Sequence, residues 1–228
     1  AHVSTDVAPR WGIRPSTLAI TEKLYEGFVE KFNAHLTQYP YLLGGKPCLG
    51  DFGLMCPLYG HLGRDPVPHR LLQMRGPWIH RWVERMNRPE PDTGEYINLP
   101  HSFLQDDEVP ETIIELLTHF ALDFVPETIA SHSGINRWLK ENKPAIGAQC
   151  ERYAGEAEFD VEGTAMHVCP QPFRFYLLER VQSAIQALKG SDQADALALL
   201  DTCNMTAVLD LKLDRNIGRA NNLEVWLD

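Results

Sequence analysis

Long apolar runs are missing from this chain of 228 residues. No stretch reaches the roughly 18–20 apolar residues that a membrane-spanning helix needs, and the opening AHVSTDVAPRWG lacks the basic and then apolar pattern of a secretory signal. Positive charge is scarce as well, since 21 Lys and Arg stand against 31 Asp and Glu and give a formal net charge of -10. An acidic surface disfavours nucleic acids and anionic membranes as partners. We therefore expect a cytoplasmic protein that binds neither.

Paired cysteine motifs are also missing. The cysteines are scattered, odd in number and free of any CxxC or metal-finger spacing. Reduced thiols in a cytosolic protein are the simplest interpretation of this pattern. The five residues are Cys48, Cys56, Cys150, Cys169 and Cys203.

Motifs for catalysis and metal binding are few. The chain contains no G-x-S-x-G, P-loop, H-E-x-x-H or dinucleotide fingerprint. His61, Asp65 and His69 are spaced so that a continuous helix would place three metal ligands on one face. Pro66 and Pro68 disfavour such a helix, so we expect loop or capping roles for these side chains. The sequence therefore predicts no catalytic residue, no cofactor-binding residue and no metal ligand in this chain.

A helical pattern is what the sequence does contain. Its composition, 44% hydrophobic and 23% charged, is that of a globular protein. Residues 110–124 and 126–143 each carry apolar residues at helical spacing, and Pro126 either separates two helices or lies within one kinked helix. An earlier helix, capped by Ser16 or Thr17, has an apolar residue at every fourth position. These positions are Leu24, Phe28, Phe32 and Leu36.

The centre of the pattern is the short stretch around Cys48 and Asp51. A helix that starts at Cys48 has Asp51 in its first turn, where a carboxylate can accept hydrogen bonds from free N–H groups and meets the positive end of the helix dipole. The following residues are apolar on nearly all sides, which predicts a buried helix as far as about Leu62 and an inert core thiol at Cys56. Although a helix N-terminus lowers the pKa of a thiol, the Asp51 carboxylate opposes thiolate formation at Cys48, which favours a structural capping role for this cysteine.

The order LLGG-K-P-x-L-x-D-F, then an apolar helix, then PWIHRWVERM, resembles the C-terminal helical domain of the glutathione S-transferase superfamily. The resemblance covers residues 16–88. In that family an N-capping box starts the central core helix, with Ser or Thr where Cys48 stands here. A looser resemblance reaches the C-terminus, because bacterial glutathione-transferase-like proteins with long C-terminal extensions share patterns similar to residues 155–168 and 221–226.

The resemblance implies a mainly α fold. We expect a glutathione S-transferase C-terminal-like helical bundle over residues 1–88 and a helical extension over residues 89–228 that packs on it. Alternating residues on either side of Glu162 and Gly163 predict one small β-hairpin near residues 149–168. Residues 88–108 are polar and rich in proline, which is typical of a linker.

The resemblance also implies a function. In the family the helical domain forms one wall of the apolar-substrate pocket, and a thioredoxin-like domain holds glutathione. Trp11, Tyr25 and Tyr59 are the candidates for that wall here, with bundle core as the alternative interpretation.

No thioredoxin-like pattern precedes the first helix, and the chain begins with Ala1 rather than Met. We therefore expect a piece of a longer protein, inactive by itself, whose partner is a thioredoxin-like domain or another protein. With that domain, it would conjugate or reduce electrophilic apolar substrates with glutathione. The alternative is a non-catalytic protein-interaction or scaffold module of the same fold, and a homodimer remains an open expectation.

Overall fold

The computed structural model describes residues 7–88 and 94–228. It is mainly helical and contains two small two-stranded antiparallel sheets. Part of the predicted linker, residues 89–93, lies outside the described residues. The helices are α1 (Ala8–Arg10), α2 (Leu18–His35), α3 (Leu49–Pro57), α4 (Pro66–Arg75), α5 (Pro77–Met86), α6 (Glu111–Asn142), α7 (Pro172–Ala187) and α8 (Gly190–Thr202), and the strands are β1 (Ala157–Val161), β2 (Thr164–Val168), β3 (Ile217–Ala220) and β4 (Leu223–Trp226).

Contacts along the backbone divide the chain into two compact units. One is Lys23–His119, and the other combines Ala1–Glu22 with Phe120–Asp228. The boundaries fall inside α2 and α6. The division predicted between residues 88 and 89 stays a prediction. Among the described helices, none combines the length and the apolarity that crossing a membrane requires.

Helices α2 and α5 supply the core of the Lys23–His119 unit. Phe32 and Leu36 on the predicted stripe have no exposed surface, and neither do Ile79 and Trp82 of α5. The rings of Phe32 and Trp82 meet edge to face, with centroids 5.1 Å apart, an arrangement that adds to the free energy gained by burial alone. The four-residue spacing in the sequence correctly predicted both the helix and its buried face.

Helix α3 is not the buried helix that its composition predicted. Leu49 is 87% exposed and Phe52 is 57% exposed. Cys56 is exposed as well, so the expectation of an inert core thiol there is wrong. The one fully buried side chain among the nine residues of α3 is that of Asp51. A short helix that is apolar on all sides is buried only if other segments cover every side. Helix α3 contacts α5, but Leu49 and Phe52 are left exposed.

Trp226 lies at the centre of the other unit. It belongs to one buried cluster with Ile135 and Leu139 of α6 and Phe175 of α7. The ring of Trp138 stacks on that of Trp226, with centroids 6.1 Å apart. The last strand of the chain therefore closes the core of this unit.

Helix α6 is continuous over 32 residues and contains Pro126 in its interior. Of the two interpretations that the sequence left open, the single helix is confirmed. A proline removes one backbone N–H donor from a helix but leaves the following turns intact when packing holds them.

The predicted hairpin is present as β1 and β2. Its two-residue turn, Glu162-Gly163, has a positive φ at both positions, which matches the twist of the flanking strands. The expectation of one small hairpin is nevertheless wrong, since β3 and β4 form a second one. Asn221 and Asn222 provide its turn, again with a positive φ at both positions. Asparagine tolerates this conformation better than most residues, and the Asn-Asn pair was the signal in the sequence for it.

Candidate functional site

The capping box at the start of α3 is formed, and the hydrogen bond to the Asp51 side chain is the stronger of its two interactions. Asp51 Oδ2 accepts a hydrogen bond of 2.9 Å from the backbone N–H of Cys48. The sulfur of Cys48 faces the backbone N–H of Asp51, but no side-chain hydrogen bond of ordinary geometry reaches the sulfur. Cys48 therefore occupies the N-cap position, but the carboxylate of Asp51 makes the capping hydrogen bond.

Asp51 also connects three segments of the chain. Its Oδ1 accepts hydrogen bonds from the backbone N–H of Leu42 and from the indole Nε1 of Trp82, both at 3.2 Å. The carboxylate is fully buried, and three N–H donors compensate for the loss of water. Asp51 thus fixes the loop before α3 and the helix α5 to the first turn of α3.

Two of the thiols, those of Cys48 and Cys150, lie in surroundings that disfavour the thiolate. Burial raises the pKa of the Cys48 thiol, and the negative charge of Asp51 raises it further. Burial and the carboxylates of Glu151 and Glu224 raise the pKa of Cys150 to about 12. A nucleophilic cysteine needs a lowered pKa in a positive environment, so neither residue meets the requirement.

Two residues that the sequence did not identify hold the same loop, and both are buried. His35 Nε2 lies 3.1 Å from the backbone oxygen of Tyr41, and Nδ1 lies 2.8 Å from Thr112 Oγ1. Since a carbonyl only accepts, Nε2 carries the proton and Nδ1 accepts from the threonine hydroxyl. Arg85 Nη2 donates to the backbone oxygen of Pro40 at 3.1 Å.

Arg85 is held from several sides. Its Nη1 donates to Glu95 at 3.3 Å, and its guanidinium lies near the rings of Tyr41 and Tyr96, at 5.6 and 5.1 Å from their centroids. Arg85 is 2% exposed, so the partners are shielded from water and interact strongly. Residues 40, 41 and 42 are therefore fixed in succession by Arg85, His35 and Asp51. Arg85 follows Trp82 by three residues, so both lie on one side of α5, and this spacing was the signal in the sequence for its burial.

Among the predicted wall residues, Tyr25 has an unusual environment. Its hydroxyl is buried, and it makes no hydrogen bond with any residue in the described ranges 7–88 and 94–228. Burial raises the pKa of this hydroxyl. The ring stacks on Phe28, which is 9% exposed and belongs to the core. Tyr25 thus combines an apolar ring contact with an unused hydrogen-bonding group.

Tyr59 and Trp11 have different surroundings. The face of Tyr59 is covered by the guanidinium of Arg64, which lies 4.2 Å from the ring centroid. Trp11 is 43% exposed and lies in the other unit from Tyr25 and Tyr59. Its membership of a common wall with those two residues stays a prediction.

His61, Asp65 and His69 are connected by regular backbone hydrogen bonds, but their side chains are not grouped as metal ligands. The N–H of Asp65 donates to the oxygen of His61, and the N–H of His69 donates to the oxygen of Asp65. Pro66 lies at the first position of α4, where a proline is tolerated because its missing donor is not needed. Within the described part of the chain, no three His, Cys, Asp or Glu side chains are grouped so that they could hold a metal ion.

A polar groove of about 530 Å³ lies beside α2 and α4. Glu26, Glu30 and Arg75 line it, and Arg75 pairs with Glu26. None of the three predicted wall residues lines this groove.

Comparisons of the chain with profiles of known protein families, with curated proteins and with solved structures found no match.

Proposed function

We propose that this chain is the helical domain of a glutathione S-transferase-like protein, in which it forms a wall of the pocket for electrophilic apolar substrates. The buried hydroxyl of Tyr25 is the observation that carries the proposal. Leaving a buried hydroxyl unpaired costs about 1–3 kcal/mol, and a side-chain rotation that exposes it to a substrate or an adjoining domain would offset this cost with a hydrogen bond. Tyr25 is also a position that the family resemblance assigns to the pocket wall.

The chemistry is proposed to need a thioredoxin-like domain. That domain would bind glutathione and stabilise its thiolate for attack on the electrophile. The raised pKa values of Cys48, Cys150 and Cys169 argue against a substitute nucleophile among these three thiols. By itself, this chain is expected to be inactive.

Two measurements test this proposal. Calorimetry of this chain with glutathione should show no binding of micromolar affinity. In a protein that joins this chain to a thioredoxin-like domain, Tyr25→Phe should raise the KM for an aryl halide several-fold and leave the affinity for glutathione unchanged.

The control is Tyr39→Phe, which alters a tyrosine in the turn after α2 whose ring stacks on His35. Micromolar glutathione binding by this chain alone would contradict the proposal. A KM in Tyr25→Phe equal to that in Tyr39→Phe would remove Tyr25 from the pocket wall.

A second candidate function, a non-catalytic protein-interaction module, is supported by α3. Leu49 and Phe52 are three residues apart and therefore share one side of the helix, and both are largely exposed. Exposed neighbouring apolar residues mark interaction surfaces more often than isolated ones do.

The homodimer form of this candidate is tested by sedimentation equilibrium. Phe52→Ser should weaken self-association at least about ten-fold if Phe52 is central to the interface. Phe103→Ser is the control, since Phe103 is 48% exposed and lies outside α3. Equal dimer affinity in the two variants would exclude α3 as the interface.

A further inference from the structure

A small cavity, of about 20 Å³, lies between α6 and α7. One side of each helix forms its walls, since the lining residues recur at three- and four-residue spacings on α6 and share one side of α7. They are Phe124, Thr128 and Ser131 of α6 and Arg174, Phe175 and Leu178 of α7. All six belong to the compact unit that contains Trp226, so a single unit builds this cavity.

Ser131 brings an unused hydroxyl group into the wall. The residue is 2% exposed, and its Oγ is buried without a hydrogen-bond partner among the residues that the structure describes. Other hydroxyl groups of α6 donate to the carbonyl oxygen four residues earlier, as that of Thr128 does at 2.5 Å and that of Ser133 does at 3.2 Å. Ser131 does not use this local acceptor. A buried hydroxyl normally has a partner, so a molecule in the cavity is the partner that the position of Ser131 allows.

Thr128 and Arg174 add two polar groups to the same walls. The hydroxyl proton of Thr128 is used on the Phe124 carbonyl, but Oγ1 keeps lone pairs that can accept. Arg174 donates through Nη1 to the carboxylate of Glu127, which lies one turn before Ser131 on α6. The guanidinium therefore reaches across to the α6 side of the cavity, and it has further N–H donors.

The volume of the cavity limits what it can hold. One water molecule needs about 10–15 Å³, whereas an engineered cavity that binds benzene has about 150 Å³. A cavity of about 20 Å³ therefore admits a single water molecule and excludes an organic ligand of that size.

The charges and hydrogen-bonding groups favour water over a small anion. The Glu127 carboxylate neutralises the Arg174 guanidinium, so the walls carry no net positive charge to attract an anion. Thr128 Oγ1 can only accept, which requires a donor as its partner. Water both donates and accepts, and buried waters typically make about three hydrogen bonds.

We propose that this cavity is the binding site of one structural water molecule that joins α6 to α7. The water accepts a hydrogen bond from the Ser131 hydroxyl and donates one to Thr128 Oγ1. A guanidinium N–H of Arg174 donates to its remaining lone pair. The site is independent of the pocket proposed around Tyr25, which lies in the other unit.

A crystal structure of the full chain tests the position of the water. A water oxygen is expected within about 2.5–3.0 Å of both Ser131 Oγ and Thr128 Oγ1. Oxygen-17 relaxation dispersion, which counts long-lived waters in solution, should show one fewer in Ser131→Val, because the larger side chain fills the cavity. Ser133→Val is the matched control, since Ser133 is exposed on the same helix, and it should keep the count of the parent chain.

The stability of alanine variants provides a second test. Ser131→Ala should lower the ratio of folded to unfolded chain about five-fold relative to Ser133→Ala in urea denaturation, because a hydrated hydroxyl contributes a hydrogen bond. Both variants gain the same helix propensity, so their difference isolates the buried hydroxyl. Removal of a hydroxyl that has no partner would have the opposite sign and would raise this ratio.

Three results would overturn the proposal. Crystals without an ordered water between Ser131 and Thr128 would exclude the site, and so would an unchanged count of long-lived waters in Ser131→Val. A Ser131→Ala variant as stable as Ser133→Ala, or more stable, would show that the hydroxyl is not hydrated. Bromide bound in the cavity of soaked crystals would identify an anion site instead.

Discussion

Helices α3 and α5 are of nearly equal length, lie in the same unit and contact each other, yet they differ in how their sequences relate to their burial. In α5 the apolar residues Ile79, Trp82 and Val83 are all buried. In α3, where apolar residues surround the helix, Leu49 and Phe52 face solvent. The more apolar of the two helices is thus the less buried.

The difference shows that the arrangement of apolar residues is more informative than their number. An amphipathic helix has a single apolar face, which settles the side that turns to the core. A helix that is apolar all round has no preferred face, and its orientation depends on its neighbours. In α3 a polar residue decides the orientation, because Asp51 must meet the N–H groups of Cys48, Leu42 and Trp82.

Removing the indole that joins the two helices should have the largest effect. We expect Trp82→Ala to lower the free energy of unfolding by about 3–5 kcal/mol, because it opens a cavity in the core and takes a donor from Asp51. Urea denaturation measures the change. Trp78→Ala is the matched control, since Trp78 is only partly buried and should lose less than half as much. Equal losses in the two variants would mean that the contact between α3 and α5 is unimportant.

Removing the cap should have the next largest effect. Asp51→Ala leaves three N–H groups without an acceptor and is expected to cost about 2–3 kcal/mol. Thermal unfolding of Asp65→Ala provides the control, because Asp65 is the N-cap residue of α4 and so also lies at a helix N-terminus, but its side chain makes no capping hydrogen bond. That control should change the stability by about 0.5 kcal/mol or less. An unchanged melting temperature in Asp51→Ala would contradict the assigned role.

The pH dependence of stability should distinguish the contribution of His35 from those of Asp51 and Arg85, which hold the same loop. We expect a smaller loss of stability from protonating His35 than from removing the Asp51 cap. Burial lowers the pKa of His35, although the hydrogen bond to Tyr41 and the charge of Asp51 oppose the shift. The unfolded chain then binds a proton more readily than the folded one. The contribution of His35 to the free energy of unfolding is therefore fully present above the pKa of about 6.5 that a histidine has in the unfolded chain. It is lost as the pH falls from there through the lower pKa of His35 in the folded chain.

The measurement is urea denaturation at several pH values for the parent chain and for His35→Gln. The parent chain should lose more stability than His35→Gln on acidification through this window. His101→Gln removes an exposed histidine and should follow the parent chain. A parallel pH dependence in all three proteins would exclude His35 as the cause.

The smallest effect is expected on the exposed side of α3. Phe52→Ser should change the free energy of unfolding by no more than about 0.5 kcal/mol, because the ring is largely in water already. Phe32→Ala, at a fully buried position of α2, should cost about 3–5 kcal/mol under the same conditions. If Phe52→Ser approached the loss seen in Phe32→Ala, α3 would have to be buried after all.

Local patterns predicted several parts of the molecule. The spacing of Phe28, Phe32 and Leu36 predicted a helix and its buried side, and Glu162-Gly163 marked the first hairpin. Asp51 was identified as a cap because a carboxylate three residues after a helix start has a definite partner nearby in the chain. Each of these features depends on residues within a few positions of one another.

The sequence by itself determined the predominance of helices, the first hairpin turn and the capping carboxylate of α3, because backbone geometry and short-range hydrogen bonds settle all three. Only the tertiary structure decided that α3 exposes Leu49 and Phe52, that Arg85 is buried, and that the hydroxyl of Tyr25 has no partner among the described residues. Burial depends on which segments pack against a side chain, and those segments lie far away in the sequence. Arg85 shows this directly, because two of its partners, Pro40 and Glu95, lie 45 and 10 residues from it along the chain.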